Sequence, residues 1–168
     1  MALLIIVPIA VAVAAYCVWA LRRDRRTETA ARLDAPAHEV WAVLTDFGSY
    51  GEWNPLFTAV SGQLAEDERL DVTRAQEGGK PRRLRPAVLR VSPARQIRWL
   101  DRLGPGGCFD REHYLVLEPQ EDGTTLLTHG ERVTGVLLPV LSGRLDGAAA
   151  DLEAMNAALA ERVGAARR

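Results

Sequence analysis

Nineteen consecutive residues from Leu3 to Leu21 carry no charge, and Pro8 is the one helix breaker among them. A helix of that length reaches ~29 Å, close to the hydrocarbon thickness of a bilayer. A cleaved secretory leader would carry a basic residue ahead of the apolar run. Here none precedes it, and Arg22, Arg23, Arg25 and Arg26 follow it. The pattern predicts a transmembrane helix over residues 1–21, a basic flank over 22–26 and a body over 27–168. Basic flanks stay inside, so the expectation is a single-pass protein of the cell membrane, with Met1 outside and the body on the cytoplasmic side. Tyr16 and Trp19 fit interfacial anchors. Arg22–Arg26 reads as a stop-transfer flank beside lipid head groups. Tyr16 next to Cys17 argues against a lipoprotein cleavage site, which leaves Cys17 as a small apolar residue.

Within the body the pattern reads strand, two helices, several strands and one long helix. Thr27–Leu33 is the first strand. Asp34 is a helix-capping residue type, and Pro36 suits a first helical turn. Val40, Trp41, Val43 and Leu44 recur at helical spacing. Asn54-Pro55 ends that region. Strand character follows in Phe57–Gln63, Arg69–Gln76, Arg82–Val91, Gln96–Arg102, Phe109–Glu118 and Thr124–Val133. Gly78-Gly79, Ser92-Pro93, the Gly104–Gly107 stretch and Asp122-Gly123 separate several of them, and such tight links imply antiparallel neighbours. Beyond Pro139 the stripe Leu145, Ala149, Leu152, Asn156, Leu159, Val163 keeps one face of a helix on one partner. That helix is expected to lie across the sheet and close its core.

Charge changes the picture little. The chain has 21 Lys+Arg and 22 Asp+Glu, a net charge of −1. Four arginines and one aspartate lie in the basic flank, so the 142 residues after it carry −4. A mildly acidic body argues against a nucleic-acid partner, which needs a positive face. Two cysteines, Cys17 and Cys108, make no disulfide framework, and no Cys/His cluster has metal spacing. The expectation is no metal and no cofactor. Gly78-Gly79-Lys80-Pro81 lacks the spacing of a phosphate loop. Cys108 has no evident base and reads as a passive thiol, and His38 as solvated. The run Arg82-Arg83-Leu84-Arg85 reads as a charged sheet edge.

The stretch Val40-Trp41-Ala42-Val43-Leu44-Thr45-Asp46-Phe47, followed by Tyr50-Gly51-Glu52-Trp53-Asn54-Pro55, resembles the opening of the SRPBCC, or START-like, superfamily. Its polyketide cyclase/dehydrase-like branch is the most similar. Ser61-Gly62, Val91-Ser92-Pro93, Ile97-Arg98-Trp99, His113–Pro119 and Thr128-His129-Gly130-Glu131 are similar to that group's later segments. The resemblance covers Thr27 to about Val163. It implies an α+β helix-grip fold: a curved antiparallel sheet of about six or seven strands around a long C-terminal helix, with an apolar cavity between them. The N-terminal helix is an addition to that pattern. The superfamily shares no common reactive residue, so the fold alone does not give a reaction.

A three-residue hairpin loop at Asp122-Gly123 pairs residues whose numbers sum to 244. His113 then faces Glu131, and Leu115 faces His129. A two-residue loop would shift the register by one and separate them. A carboxylate beside imidazole suits general acid–base chemistry, so His113, His129 and Glu131 are the candidate catalytic residues. The plainer alternative is a structural hydrogen-bonded pair, which buried polar groups commonly form. Trp53, Trp99, Phe109, Leu115, Leu152, Met155 and Asn156 complete the expected cavity wall. Arg111 shares the face of His113 and has the chemistry to bind a carboxylate or pair with a cavity acid, but solvent exposure near its strand end is the expectation.

Three functional readings follow. The preferred one is a non-catalytic, membrane-anchored module binding a lipid-like or other hydrophobic small molecule. The alternative is a cyclase, dehydratase or isomerase using His113, His129 and Glu131. The third is an interaction module with a collapsed cavity and an exposed apolar patch.

Overall fold

A computed structural model of the chain describes residues 2–76 and 79–167, with the backbone alone for residues 2–5 and Arg144. Met1, Arg168 and the Gly78 of the expected turn lie outside the described residues. The elements run α1 (Ala2–Leu21), β1 (Asp24–Leu33), α2 (Ala37–Thr45), α3 (Tyr50–Trp53), β2 (Phe57–Ser61), β3 (Asp71–Arg74), β4 (Arg82–Leu84) and β5 (Ala87–Ser92). Then come β6 (Gln96–Arg102), β7 (Asp110–Pro119), β8 (Thr125–Thr134), α4 (Leu138–Leu141) and α5 (Ala148–Ala166).

The strands form two antiparallel sheets, ordered β1-β8-β7-β6-β5 and β2-β3-β4. An isolated bridge between Arg69 and Ala87 joins them. The count of eight among the described residues, against six or seven expected in one sheet, has a local cause. The expected strand Arg82–Val91 breaks at Arg85-Pro86, because Pro86 has no N–H for a ladder and restricts the residue before it. Asp34 does not cap α2: Pro36 occupies the position before its first turn, with no side-chain cap. The Asp34 side chain is exposed and approached by Arg167.

The β7–β8 hairpin has the expected register, with His113 opposite Glu131 and Leu115 opposite His129. Gly123 sits at φ +80° in the loop, a conformation that favours glycine. The inward positions of β1 include Thr27, Thr29 and Ala31, small enough for α5 to lie across β1 and β8. Its buried face is Ala148, Leu152, Met155, Asn156, Leu159 and Val163. Ala149 is exposed, so Ala148 takes the first inward place. Burying each large apolar side chain on this face stabilises by about 1.5–3 kcal/mol. A satellite cluster of Phe109, Val133, Leu138 and Leu145 sits where α4 meets the sheet.

The transmembrane expectation is corrected. Among the described residues no helix is long and apolar enough to cross a membrane. α1 is a short N-terminal helix with exposed apolar side chains, among them Ile6, Val11 and Val18. Its last turns belong to the body. The Tyr16 hydroxyl donates to the Val136 carbonyl at 2.9 Å, and Ala20 is fully buried. Arg25 and Arg26 likewise belong to β1, where Arg25 pairs with Asp146 and Arg26 with Asp24.

Candidate functional site

Strand alternation and one helix face bring a row of polar side chains into the core. β7 delivers His113, β8 delivers His129 and Glu131, and α5 delivers Asn156. All four are at most 5% exposed. Asn156 Oδ1 lies 2.7 Å from His129 Nδ1, and His129 Nε2 lies 3.1 Å from His113 Nε2. His113 Nδ1 is 3.5 Å from Glu131 Oε1, long for a hydrogen bond. Asn156 Nδ2 donates to Thr29 Oγ1 at 2.9 Å. Trp99 stacks on His113 with ring centres 4.6 Å apart, and Phe57 meets it edge-on. The row therefore runs Thr29, Asn156, His129, His113, Glu131.

At its far end Glu131 meets two guanidinium groups. Arg74 of β3 hydrogen-bonds Glu131 Oε1 and also reaches Asp151 at 3.3 Å. Arg111 Nε lies 3.9 Å from Glu131 Oε2. Burial alone would raise the Glu131 pKa, but His113 and the two arginines outweigh it and hold the carboxyl well below its ordinary range. Burial pushes both imidazoles down, His129 to about 3, with His113 adding to the shift of His129. Glu131 pulls the other way on both, without reversing it. Burial also lowers the Arg111 pKa, against the attraction of Glu131.

Counting protons restricts the row. With Asn156 turned as it stands, its oxygen accepts from His129 Nδ1–H, and His129 Nε2 accepts from His113 Nε2–H. His113 Nδ1 then faces an ionised carboxylate and needs a second proton to donate to it. A neutral row runs the opposite way. His113 donates from Nδ1 to Glu131, His129 donates from Nε2 to His113, and the Asn156 amide turns over to donate to His129. One added proton and one amide rotation interconvert the two arrangements.

Arg74 and Arg111, the two arginines that meet Glu131, line a pocket of about 500 Å³. Arg74, Arg82, Arg111, Asp101 and Asp151 supply its charged lining. Leu103, Phe109 and Leu141 supply apolar surface, and Gly147 at the start of α5 closes one side. Of the expected cavity residues, Phe109 alone lines this pocket. His113, His129, Glu131 and Asn156 lie behind it in the row, with Trp99 stacked on His113. Leu115, Leu152 and Met155 are fully packed core. Trp53 is half-buried against Tyr50 with ring centres 5.1 Å apart, and its indole N–H has no partner. Arg111 is not solvent-exposed as expected: its side chain is 14% exposed, because Glu131 faces it from β8. Arg82 does lie on an edge strand, β4, but also reaches the pocket. His38 is exposed.

Sequence reasoning passed over Arg74, Asp151 and Thr29. Arg74 was detectable: it continues the inward alternation of Leu70 and Val72, both buried, so its side chain must enter the core. Asp151 and Thr29 carry no such signal, since Asp151 is partly exposed and Thr29 sits in a strand of uniformly small and polar residues.

The family model described as polyketide cyclase / dehydrase and lipid transport matches residues 24–166. Curated proteins yield no match. Solved structures do. A START superfamily protein from Mycobacterium smegmatis is 22% identical, with a TM-score of 0.59, covering 83% of this chain and 97% of that one. The Zhui aromatase/cyclase from a Streptomyces species is 15% identical, with a TM-score of 0.65, covering 87% and 97%. A point mutant of Thalictrum norcoclaurine synthase is 13% identical, with a TM-score of 0.67, covering 87% and 98%. At these identities the structures show a shared fold.

Proposed function

The chain belongs to the polyketide cyclase/dehydrase and lipid-transport family of the START-like superfamily, and on that premise we propose that it binds a hydrophobic small molecule in the pocket under the start of α5. The observation that carries this reading is the pocket itself: about 500 Å³ with Phe109, Leu103 and Leu141 in its lining. Small-molecule sites have this size, and here an apolar patch of Leu103, Phe109 and Leu141 stands beside five charged side chains. The fluorescent probe N-phenyl-1-naphthylamine tests it. Leu103→Trp, which fills the mouth from an exposed position, is expected to weaken probe binding severalfold. Equal affinity in wild type and variant refutes the reading.

A second reading, an enzyme of cyclase, dehydratase or isomerase type, is favoured by the row of Asn156, His129, His113 and Glu131. A row with two proton arrangements can take up or release a proton beside a bound carbonyl compound. Neither imidazole lines the pocket, so the substrate must reach past Arg74 and Arg111 to use them. The test is deuterium exchange at the carbon between the carbonyls of 1-(2-naphthyl)butane-1,3-dione, followed by NMR. Acceleration over buffer that His113→Gln removes supports the reading. Exchange at the buffer rate ends it.

A further inference from the structure

Arg111 is the least satisfied charge in the protein's interior. Its Nε is buried without a hydrogen-bond partner, and among the described residues its guanidinium donates no hydrogen bond. Its close ionic neighbour, Glu131 Oε2 at 3.9 Å, lies beyond hydrogen-bond reach and is itself without a hydrogen-bond partner, while Oε1 accepts from Arg74. A buried donor left unmade costs about 1–3 kcal/mol, more when charged. Yet the side chain lines an open pocket, where its unused N–H groups face space rather than protein.

Arg74 is held between Glu131 and Asp151. Three arginines, Arg74, Arg82 and Arg111, and two aspartates, Asp101 and Asp151, line the pocket itself, and the Glu131 carboxylate behind them balances the count. α5 starts at the same pocket, and the residue before it, Gly147, provides no side-chain cap for the first-turn N–H groups. Those groups add positive potential on the opposite side. Apolar surface from Phe109, Leu103 and Leu141 lies next to the cationic wall.

We propose that this pocket selects an amphiphilic monoanion, a carboxylate or similar oxyanion on an apolar skeleton, with the Arg111 guanidinium as its main partner and Arg82 at the rim. The proposal rests on the reading of the pocket as a hydrophobic ligand site and names the ligand's polar end. Planar guanidinium matches an oxyanion with two parallel hydrogen bonds, which neutral alcohols cannot reproduce.

The test compares 1-pyrenebutyrate with 1-pyrenebutanol, two fluorescent probes sharing one skeleton, by anisotropy titration on the full chain near neutral pH. Wild type is expected to bind the carboxylate about tenfold tighter. Arg111→Met is expected to abolish that preference while leaving pyrenebutanol affinity nearly unchanged. Arg111→Lys keeps the charge without the fork and is expected to retain part of the preference. Arg82→Gln, at an exposed edge position where folding is not at stake, is expected to reduce it. Dependence on these arginines separates pocket binding from adsorption on the apolar face of α1. Equal wild-type affinity for the two probes overturns the proposal and leaves the hydrophobic site standing. A preference unchanged in both Arg111→Met and Arg82→Gln also overturns it. Binding of neither probe overturns both readings.

Discussion

Acidification is expected to destabilise this fold through its buried imidazoles before any carboxylate is protonated. His129 is fully buried and its native pKa lies near 3, against 6.5 when exposed. Below the exposed value the unfolded chain takes up a proton that the native chain refuses. Stability is therefore present above about pH 6.5 and lost as pH falls from there. Each pH unit is worth about 1.36 kcal/mol, so His129 alone removes ~2 kcal/mol between neutral pH and about pH 5. His113 is shifted in the same direction and adds to the loss. Glu131 does not contribute in this window. Its native carboxyl is held below the ordinary 4.5, so its stabilisation persists above that value and is lost only below it.

The assay is urea denaturation followed by far-UV circular dichroism in steps from about pH 7.5 to 5, in wild type and in His129→Gln. A glutamine can still bridge Asn156 and His113 but does not titrate. Wild type is expected to lose ~2 kcal/mol more than the variant over that range. The variant's absolute stability does not matter, because the pH-dependent difference carries the information. If both proteins lose the same amount, His129 is not held neutral by burial, and the account of the polar row given above is wrong.

Asn156→Ala leaves His129 Nδ1 without its partner inside the core and is expected to cost about 1–3 kcal/mol in the same denaturation assay. Arg74→Met removes the guanidinium hydrogen bond to Glu131 and leaves the buried carboxylate with His113 and the more distant Arg111. It is expected to cost about 3–5 kcal/mol, and to shrink the stabilisation that the lowered Glu131 pKa gives above about pH 4.5. Gly130→Ala drives a methyl into the ring of Tyr114, its cross-strand partner, whose hydroxyl donates to Glu28 at 2.7 Å. A loss of about 1–3 kcal/mol is expected by thermal melting, and a much smaller one in a Tyr114→Ala background, where the methyl has room.

Where period and turn chemistry act locally, the sequence could be read. The step from Leu152 to Asn156 to Leu159 to Val163 marks one helix face, and Gly123 marks the loop that puts His113 opposite Glu131. What could not be read were consequences of assembly. Nothing local says that Met155 and Asn156 both turn inward, since either one satisfies the stripe. For Arg111 the sequence offers both a solvated strand end and a pairing with a cavity acid, and only the assembled hairpin, with Glu131 3.9 Å away, decides for the second. The apolar run of α1 reads as a span from its length, the arginines after it and the placing of Tyr16 and Trp19. Its contacts through Tyr16 and Ala20 depend on the Val136 segment, more than a hundred residues away.

The core row and the pocket share one group, and that couples them. Glu131 faces His113 on one side and Arg74 and Arg111 on the other. The positive charge of the arginines is part of what keeps His113 from holding an extra proton, together with its burial. An oxyanion seated on Arg111 would cancel some of that charge. It would also draw the guanidinium away from Glu131, leaving the carboxylate a stronger partner for the His113 proton. Anion binding and proton uptake by the row therefore favour each other, and by linkage the effect is equal in both directions. The same coupling reaches Asn156, because adding the proton requires its amide to turn. A ligand's charge at the pocket mouth would thus reach Thr29 on β1 through five side chains: Arg111, Glu131, His113, His129 and Asn156.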